Sequence, residues 1–405
     1  MGGLTITVVG IGADGHLPPG AAALVAEAEV LLGGERHLAL VPEVPGQERH
    51  AWPRPMSTLA TFLGDHEGRR IVALGSGDPL VSGIGTTLIR LLGDAAVTVV
   101  PAVSSVALAR ARMGWSAEES EVVTLVGRDP AALRRELVAG ARLLVLSSDE
   151  TTPMTVAGLL DSEGFDDTRM TVLGDLGSAD EFRHESIPTD VGAWSGPLPR
   201  LNVIAIEVPA TEEDTNTWAT GVDDDLFEHD GQLTKRDVRA SALSRLQPRP
   251  GQLLWDVGAG AGSVGIEWLR AHRRTNAVAV EADTERAARI QRNAAALGVP
   301  RLWVVEGRAP EALADLPQPH AVFVGGGATA PGLLDLCRDR LAPGGRLVVH
   351  GVTLETEQLL LTAFREHGGE LTRLSVEHVT PLGGRFTGWT PARAVTQWAW
   401  RKELS

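Results

Sequence analysis

Short runs of Val, Ile and Leu recur along the first half of the chain: "LTITVVG", "AEVLLGG", "RIVALGSG", "AVTVVPA", "EVVTLVG", "RLLVLSS", "MTVLGDL" and "LNVIAIEV". Alanine-rich stretches with helical character separate them. Wholly apolar runs alternating with helices predict α/β sheets of parallel strands buried on both faces. After Val208 the pattern lapses. The stretch from Pro209 to Gln232 is acidic, poor in aliphatic residues and without a clear period, which predicts a linker or a loosely ordered segment. A second alternation then begins: "QLLWDVGAG", "AVAVEAD", "LWVVEGRA", "HAVFVGGG", "GRLVVHGV", then "GELTRLSVEHV" and "AVTQWAWRKE". The last two alternate like antiparallel strands, so this half predicts a doubly wound sheet of five parallel strands with an antiparallel pair at its edge. The organisation expected is a domain over 1–210, an acidic linker over 211–230 and a domain over 231–405, with two separable cores.

Composition narrows the classes. A chain of 405 residues, 43% hydrophobic and 22% charged, suits a globular protein of two or three domains. A net charge of −15 repels a phosphate backbone, and no basic run offsets it, which argues against nucleic-acid binding. The single cysteine, Cys337, lies in the helical "LLDLCRDRLAPGG" and reads as a buried apolar residue. There is no C-x-x-C or H-E-x-x-H pattern and the histidines are scattered, so no protein-built metal site is expected. The opening "MGGLTITVVG" lacks a basic, apolar leader, and no apolar run reaches ~18 residues. A cytoplasmic protein without membrane attachment is the expectation.

In the second half "LLWDVGAGAGSVGIEWL" runs from an apolar strand through a glycine turn into a helix, and Gly260, Gly262 and Gly265 fit G-x-G-x-x-G. That loop alone suits a nicotinamide dinucleotide or a smaller adenosyl cofactor. Glu281, closing the next strand, can accept ribose hydroxyls in either case. What separates them is the order of motifs: Asp256-x-Gly258-x-Gly260-x-Gly262, the acidic strand end, "EGRAPEAL", "HAVFVGGG" and "LAPGGRLVV". This order resembles the class I S-adenosylmethionine-dependent methyltransferases. The resemblance implies a cofactor site made by Gly258, Ala259, Gly260, Ala261, Gly262, Glu281, Arg308 and Ala309. Upstream, "DGQLTKRDVRASALSRL" reads either as an N-capped helix with a solvated basic face or as a lid in which Thr234 touches the cofactor. With the glycine loop, it resembles the small decarboxylating methyltransferases of corrin biosynthesis.

The first half opens "ITVVGIGADGHLPPG", where Gly10, Gly12 and Gly15 again give G-x-G-x-x-G. Pro18 and Pro19 directly after it suit a loop and a helix's first turn, not a helix starting at the last glycine. With "VALGSGDPLVSGIG" and "VVPAVSSVALARARMGW", the set resembles the tetrapyrrole methylases, whose class III fold has two α/β subdomains. "VLLGGERHL" narrows this to corrin-pathway members. The resemblance places Gly75, Gly77, Asp78, Val81, Ser104 and Ser105 at a cofactor site, with Gly12 facing the macrocycle; Ser104 and Ser105 also read as a helix N-cap pair.

The two resemblances together imply a fused corrin-pathway enzyme. It would bind S-adenosylmethionine once per domain, methylate carbons 5 and 15 of one tetrapyrrole, and remove carboxylate from the ring C acetate. The fused arrangement implies a metal-free substrate, with a cobalt-containing precorrin as the alternative, and the family resemblance implies a homo-oligomer, dimer or tetramer. A substrate rich in carboxylates asks for cations: Arg36 and His37 in the first half, Lys235, Arg236, Arg239 and Arg385 in the second. The rivals are a two-domain nicotinamide oxidoreductase and a non-catalytic tetrapyrrole carrier.

Overall fold

The computed structural model describes residues 4–210 and 216–404, and the chain divides into two compact units. The first unit comprises Met1–Pro130 and Ala139–Glu212; the second comprises Ala131–Val138 and Glu213–Ser405.

The first unit holds two sheets. One joins β1 (Ile6–Ile11), β2 (Val30–Gly33), β3 (Glu48–Ala51), β4 (Ile71–Ser76) and β5 (Val97–Val100) in the order β3-β2-β4-β1-β5, all parallel. Alternation along β1 shows why its run is apolar throughout. Val8 packs with Leu32, Leu63 and Ala73, while its neighbour Val9 packs on the opposite face with Val25, Leu31 and Leu74. The other sheet joins β6 (Glu121–Thr124), β7 (Arg142–Leu146), β8 (Arg169–Gly174), β9 (Phe182–Ser186) and β10 (Asn202–Glu207) in the order β6-β7-β10-β8-β9. Only β6 and β7 are parallel in it; β10 runs antiparallel to both β7 and β8, and β8 to β9. This corrects the expectation of parallel sheets throughout. An apolar strand covered on both faces has the same composition in either direction.

The second unit is a seven-stranded sheet of β11 (Leu253–Val257), β12 (Asn276–Glu281), β13 (Trp303–Glu306), β14 (Ala321–Val324), β15 (Arg346–Gly351), β16 (Glu370–Leu374) and β19 (Val395–Arg401). Its order is β13-β12-β11-β14-β15-β19-β16, with β19 antiparallel to both neighbours. The five parallel strands and the antiparallel edge pair follow the pattern read from the sequence. A separate hairpin, β17 (Glu377–Gly383) and β18 (Phe386–Pro391), exposes Val379, Leu382, Phe386 and Trp389.

The linker expected over 211–230 needs correction. Residues 211–215 lie outside the described residues, but the rest is built into the second unit. Val222 and Phe227 are core residues, and the amides of Gly221 and Val222 donate to the buried carboxylate of Glu267 at 2.8 and 3.0 Å. The segment Ala131–Val138 also belongs to this unit. Its Leu133 and Leu137 are fully buried, and Arg135 Nε donates to the carbonyl of Arg270 at 2.9 Å. The second unit therefore contains eight residues that precede the rest of it by most of a domain. No helix among the described residues is long and apolar enough to cross a membrane.

Candidate functional site

In the first unit the segments after β1, β2, β4 and β5 meet at one end of the parallel sheet. A cavity of about 580 Å3 opens there, lined by Gly75, Gly77, Asp78, Val81, Ser104 and Ser105, and by Gly12, Arg36 and His37. All nine residues singled out in this half therefore meet at one hollow. The backbone leaves no room for side chains at its floor. Gly77 has φ +51°, and a Cβ there would lie 2.8 Å from the Val103 carbonyl oxygen and 2.9 Å from Ser104 Cα. Asp78 accepts from the amide of Leu80 at 2.8 Å, fixing the turn, and Ser104 caps the following helix by accepting from Ala107 at 3.1 Å.

One wall is polar. Arg36 Nη2 donates to Ser76 Oγ at 3.2 Å and lies 3.0 Å from His37 Nε2, which is itself 2.8 Å from Ser76 Oγ. The guanidinium is donor-only, so His37 Nε2 accepts and the ring proton sits on Nδ1, which is buried without a partner among the described residues. Burial, reinforced by the Arg36 charge, pushes His37 down to about 4, so the imidazole is neutral at physiological pH. Ser76, Asp175 and Asn202 also line the cavity and were not anticipated. Ser76 stood in the quoted strand "RIVALGSG", whereas nothing local marks Asp175 or Asn202.

In the second unit β11 ends at a loop whose three glycines all have positive φ: +66° at Gly258, +60° at Gly260 and +78° at Gly262. A Cβ at Gly258 would sit 2.8 Å from the Gly326 carbonyl oxygen, one at Gly260 2.7 Å from that of Gln232, and one at Gly262 2.7 Å from Ile290 Cγ2. Glu281 closes β12 against this loop, its Oε2 accepting from the Gly260 amide at 2.8 Å. The Gly307 amide donates to the Glu281 carbonyl at 2.8 Å, bringing Arg308 and Ala309 to the same strand ends. Gln232, two residues before Thr234, reaches Gly260. Ala261 is buried and its carbonyl accepts from Asn293 Nδ2 at 2.9 Å, so this residue shapes the loop from beneath. The glycine cradle and the amide-held carboxylate fit an adenosyl group: close backbone approach for the small end, an acceptor for hydroxyls.

Asp256, below the loop, is buried. Its Oδ2 accepts from the Gly265 amide at 2.8 Å and its Oδ1 has no partner among the described residues. Desolvation, with Glu281 nearby, pushes it up to about 7.

Two expectations for the basic helix fail. The helix is Arg236–Leu246 with Lys235, not Thr234, at its N-cap and no side-chain cap bond. Arg239 is not on a solvated or substrate-facing surface. It is fully buried, bonded to Glu267, to Asp224 Oδ1 at 3.0 Å and to the Thr234 carbonyl at 2.6 Å, and its guanidinium lies 4.9 Å from the Phe227 ring centroid. Its donors are consumed by the acidic segment that looked like a linker. Lys235 and Arg236 pair with Asp224 and Asp223 beside a hollow of about 550 Å3 that His378 also lines. Arg385 lies exposed at the turn of the β17–β18 hairpin, 5.6 Å from the Phe386 ring.

Two α/β units of unlike topology, one with a glycine-floored cavity and the other with a positive-φ glycine loop at its strand ends, are the architecture of a two-domain methyltransferase. The family models agree: "Tetrapyrrole (Corrin/Porphyrin) Methylases" matches residues 5–186, and "Precorrin methyltransferase domain" matches residues 225–402. A precorrin-6Y C(5,15)-methyltransferase (decarboxylating) of Sinorhizobium sp is 46% identical over 98% of this chain and 96% of that protein. Its namesake in Mycobacterium tuberculosis (strain ATCC 25618 / H37Rv) is 44% identical over 97% of this chain and 99% of that one. The crystal structure of the C-terminal domain of precorrin-6Y C5,15-methyltransferase from Rhodobacter capsulatus is 44% identical, covers 46% of this chain and all of its own, and superposes with a TM-score of 0.44. The chain belongs to the precorrin-6Y C(5,15)-methyltransferase (decarboxylating) family.

Proposed function

We propose that the chain methylates precorrin-6Y at carbons 5 and 15, with decarboxylation, in cobalamin biosynthesis, and that each unit holds one S-adenosylmethionine. The first unit acts at carbon 5; the second removes carboxylate from the ring C acetate and methylates carbon 15. The observation that carries this reading is near-full-length likeness to relatives of that name, spanning both units at 46% identity.

In the first unit the donor lies against Gly75, Gly77, Asp78, Val81, Ser104 and Ser105, and the macrocycle enters beside Gly12. In the second, the loop Gly258–Gly262, Thr234, Arg308 and Ala309 surround the donor and Glu281 accepts its ribose hydroxyls. Bound there, the donor supplies a methyl group already activated by a sulfonium charge. The protein's work is alignment and exclusion of water, and alignment contributes up to about 7–11 kcal/mol. That accords with sites built from backbone and small residues. Arg36 is placed to receive a substrate carboxylate at the first cavity, with Ser76 and the neutral His37 fixing its direction. Arg385 is the corresponding candidate for the second unit.

A cytoplasmic location suits this activity. A homo-oligomer suits the apolar hairpin β17–β18, which would be covered by a second copy. Incubating the full chain with precorrin-6Y and labelled donor tests the reading. The expected product has gained two methyl groups and lost one carbon dioxide; a product without label excludes it.

A further inference from the structure

The edge strand β3 carries Glu48 and His50 at i and i+2, on one face of the strand, and the helix Leu59–Asp65 ends next to His66. The three side chains converge. His50 Nε2 lies 3.6 Å and His66 Nε2 3.7 Å from Glu48 Oε2, and all three ligand atoms fall within 4.8 Å of one another. Both separations are too long for hydrogen bonds. They are close to the ligand–ligand edge of a tetrahedron with metal bonds of about 2.0–2.2 Å, which is roughly 3.4 Å.

The surroundings orient two of the three ligand atoms and leave the third without a competing partner. His66 Nδ1 is 2.8 Å from the Phe62 carbonyl oxygen, which fixes the proton on Nδ1 and leaves Nε2 as an acceptor. His50 Nε2 is buried and lacks a hydrogen-bond partner among the described residues. Glu48 Oε1 is held by Arg69 Nη2 at 2.8 Å, which leaves Oε2 to face the imidazoles. The Phe62 ring packs against both histidines, with centroids 5.1 and 4.5 Å away, and limits their rotation.

We propose that Glu48, His50 and His66 form a three-ligand site for a divalent transition metal of the zinc class. Two imidazoles and one carboxylate suit Zn2+ rather than Mg2+ or Ca2+, which take oxygen-rich shells. The half-exposed side of the cluster leaves a fourth position for water. The ion would clip the edge strand to the end of the helix Leu59–Asp65. Arg69 has two opposed effects, orienting Glu48 while placing a positive charge beside the cation. No local spacing motif announces the site, because residues 48, 50 and 66 meet only through the fold.

The test uses the full-length chain, stripped with a chelator and titrated calorimetrically with Zn2+, with Co2+ substitution read from its visible absorption. One ion per chain is expected. His50→Ala and His66→Gln should each weaken it at least tenfold, and the double variant should lose the visible bands of bound Co2+. His229→Ala, at an exposed histidine elsewhere, should change nothing. Each variant should keep the far-ultraviolet circular dichroism and melting temperature of metal-free wild type, so that lost uptake reports a lost ligand and not misfolding. Wild type that takes up no ion at micromolar Zn2+, or uptake unchanged in the double variant, overturns the proposal.

Discussion

The Gly260 amide donates to Oε2 of Glu281 at 2.8 Å, joining the end of β11 to the end of β12. The Asp283 amide donates to the other oxygen, Oε1, at 3.1 Å. Two backbone donors therefore aim one carboxylate across the glycine loop before any ligand arrives, so little ordering cost is left for binding.

Replacing Glu281 should accordingly be felt in donor affinity at one site only. Hydrogen bonds to a charged acceptor contribute about 1.5–3 kcal/mol each, so Glu281→Ala should weaken S-adenosylhomocysteine at the second unit by roughly ten- to a hundredfold. Calorimetry on the full chain should show two sites in wild type, and in the variant one unchanged and one weakened. Equal weakening of both sites would contradict the assignment.

The complementary change lies in the first unit. Gly77→Ala forces a side chain into the left-handed region, at about 1–2 kcal/mol, and presses a Cβ against Val103 and Ser104 on the cavity floor. The same titration should now keep the second site and lose the first, and methylation at carbon 5 should fall at least tenfold. A variant with two intact sites would show that the donor does not lie at this floor.

How much of this was legible beforehand follows from where the information resides. Gly77, Gly258 and Gly260 could be read because their backbone geometry is local and nearly excludes other residues. Glu281 could be read because it closes a strand next to the loop. Arg239 was misread because its partners, Glu267 and Asp224, are neighbours only in space, and a basic residue on a polar helix looks solvated until they are known. The acidic segment was misread for the reciprocal reason: its carboxylates neutralise that helix, while Val222 and Phe227 supply too few apolar positions to show a period. The placement of the buried Leu133 and Leu137 in the second unit left no periodic signal at all.

Asp256 makes a pH prediction. Its folded value of about 7 stands above the ordinary carboxylate value of about 3.9. The folded chain thus holds a proton that the unfolded chain releases. Its contribution to stability is intact below about pH 4 and is lost as pH rises through about 7, by at most about 4 kcal/mol. Asp256→Asn keeps an acceptor for the Gly265 amide and cannot ionise. Its melting temperature relative to wild type should therefore rise between pH 5 and pH 8. A difference flat across that range would mean that Asp256 is not held protonated.

Arg239 and Glu267 form the last test, one that separates a structural ion pair from a substrate contact. Arg239 is wholly buried, and Glu267 also accepts the amides of Gly221 and Val222, so the pair anchors the acidic segment to the helix Ser263–Ala271. Arg239→Ala leaves the Glu267 carboxylate buried without its cation, a loss of about 3–5 kcal/mol. A large fall in melting temperature is expected, and Arg239→Lys should not restore it, because an ammonium cannot replace the guanidinium fork at four acceptors, the Glu267 and Asp224 carboxylates and the Thr234 and Val222 carbonyls. The double variant Arg239→Met with Glu267→Gln removes both charges, and should recover more than half of the loss. A substrate-binding arginine would behave in the opposite way: Arg239→Ala would leave the melting temperature within about 1 °C and raise KM. Thermal scans beside KM on the same three variants distinguish the two, since uncompensated burial acts on the free protein and a substrate contact acts only on the complex.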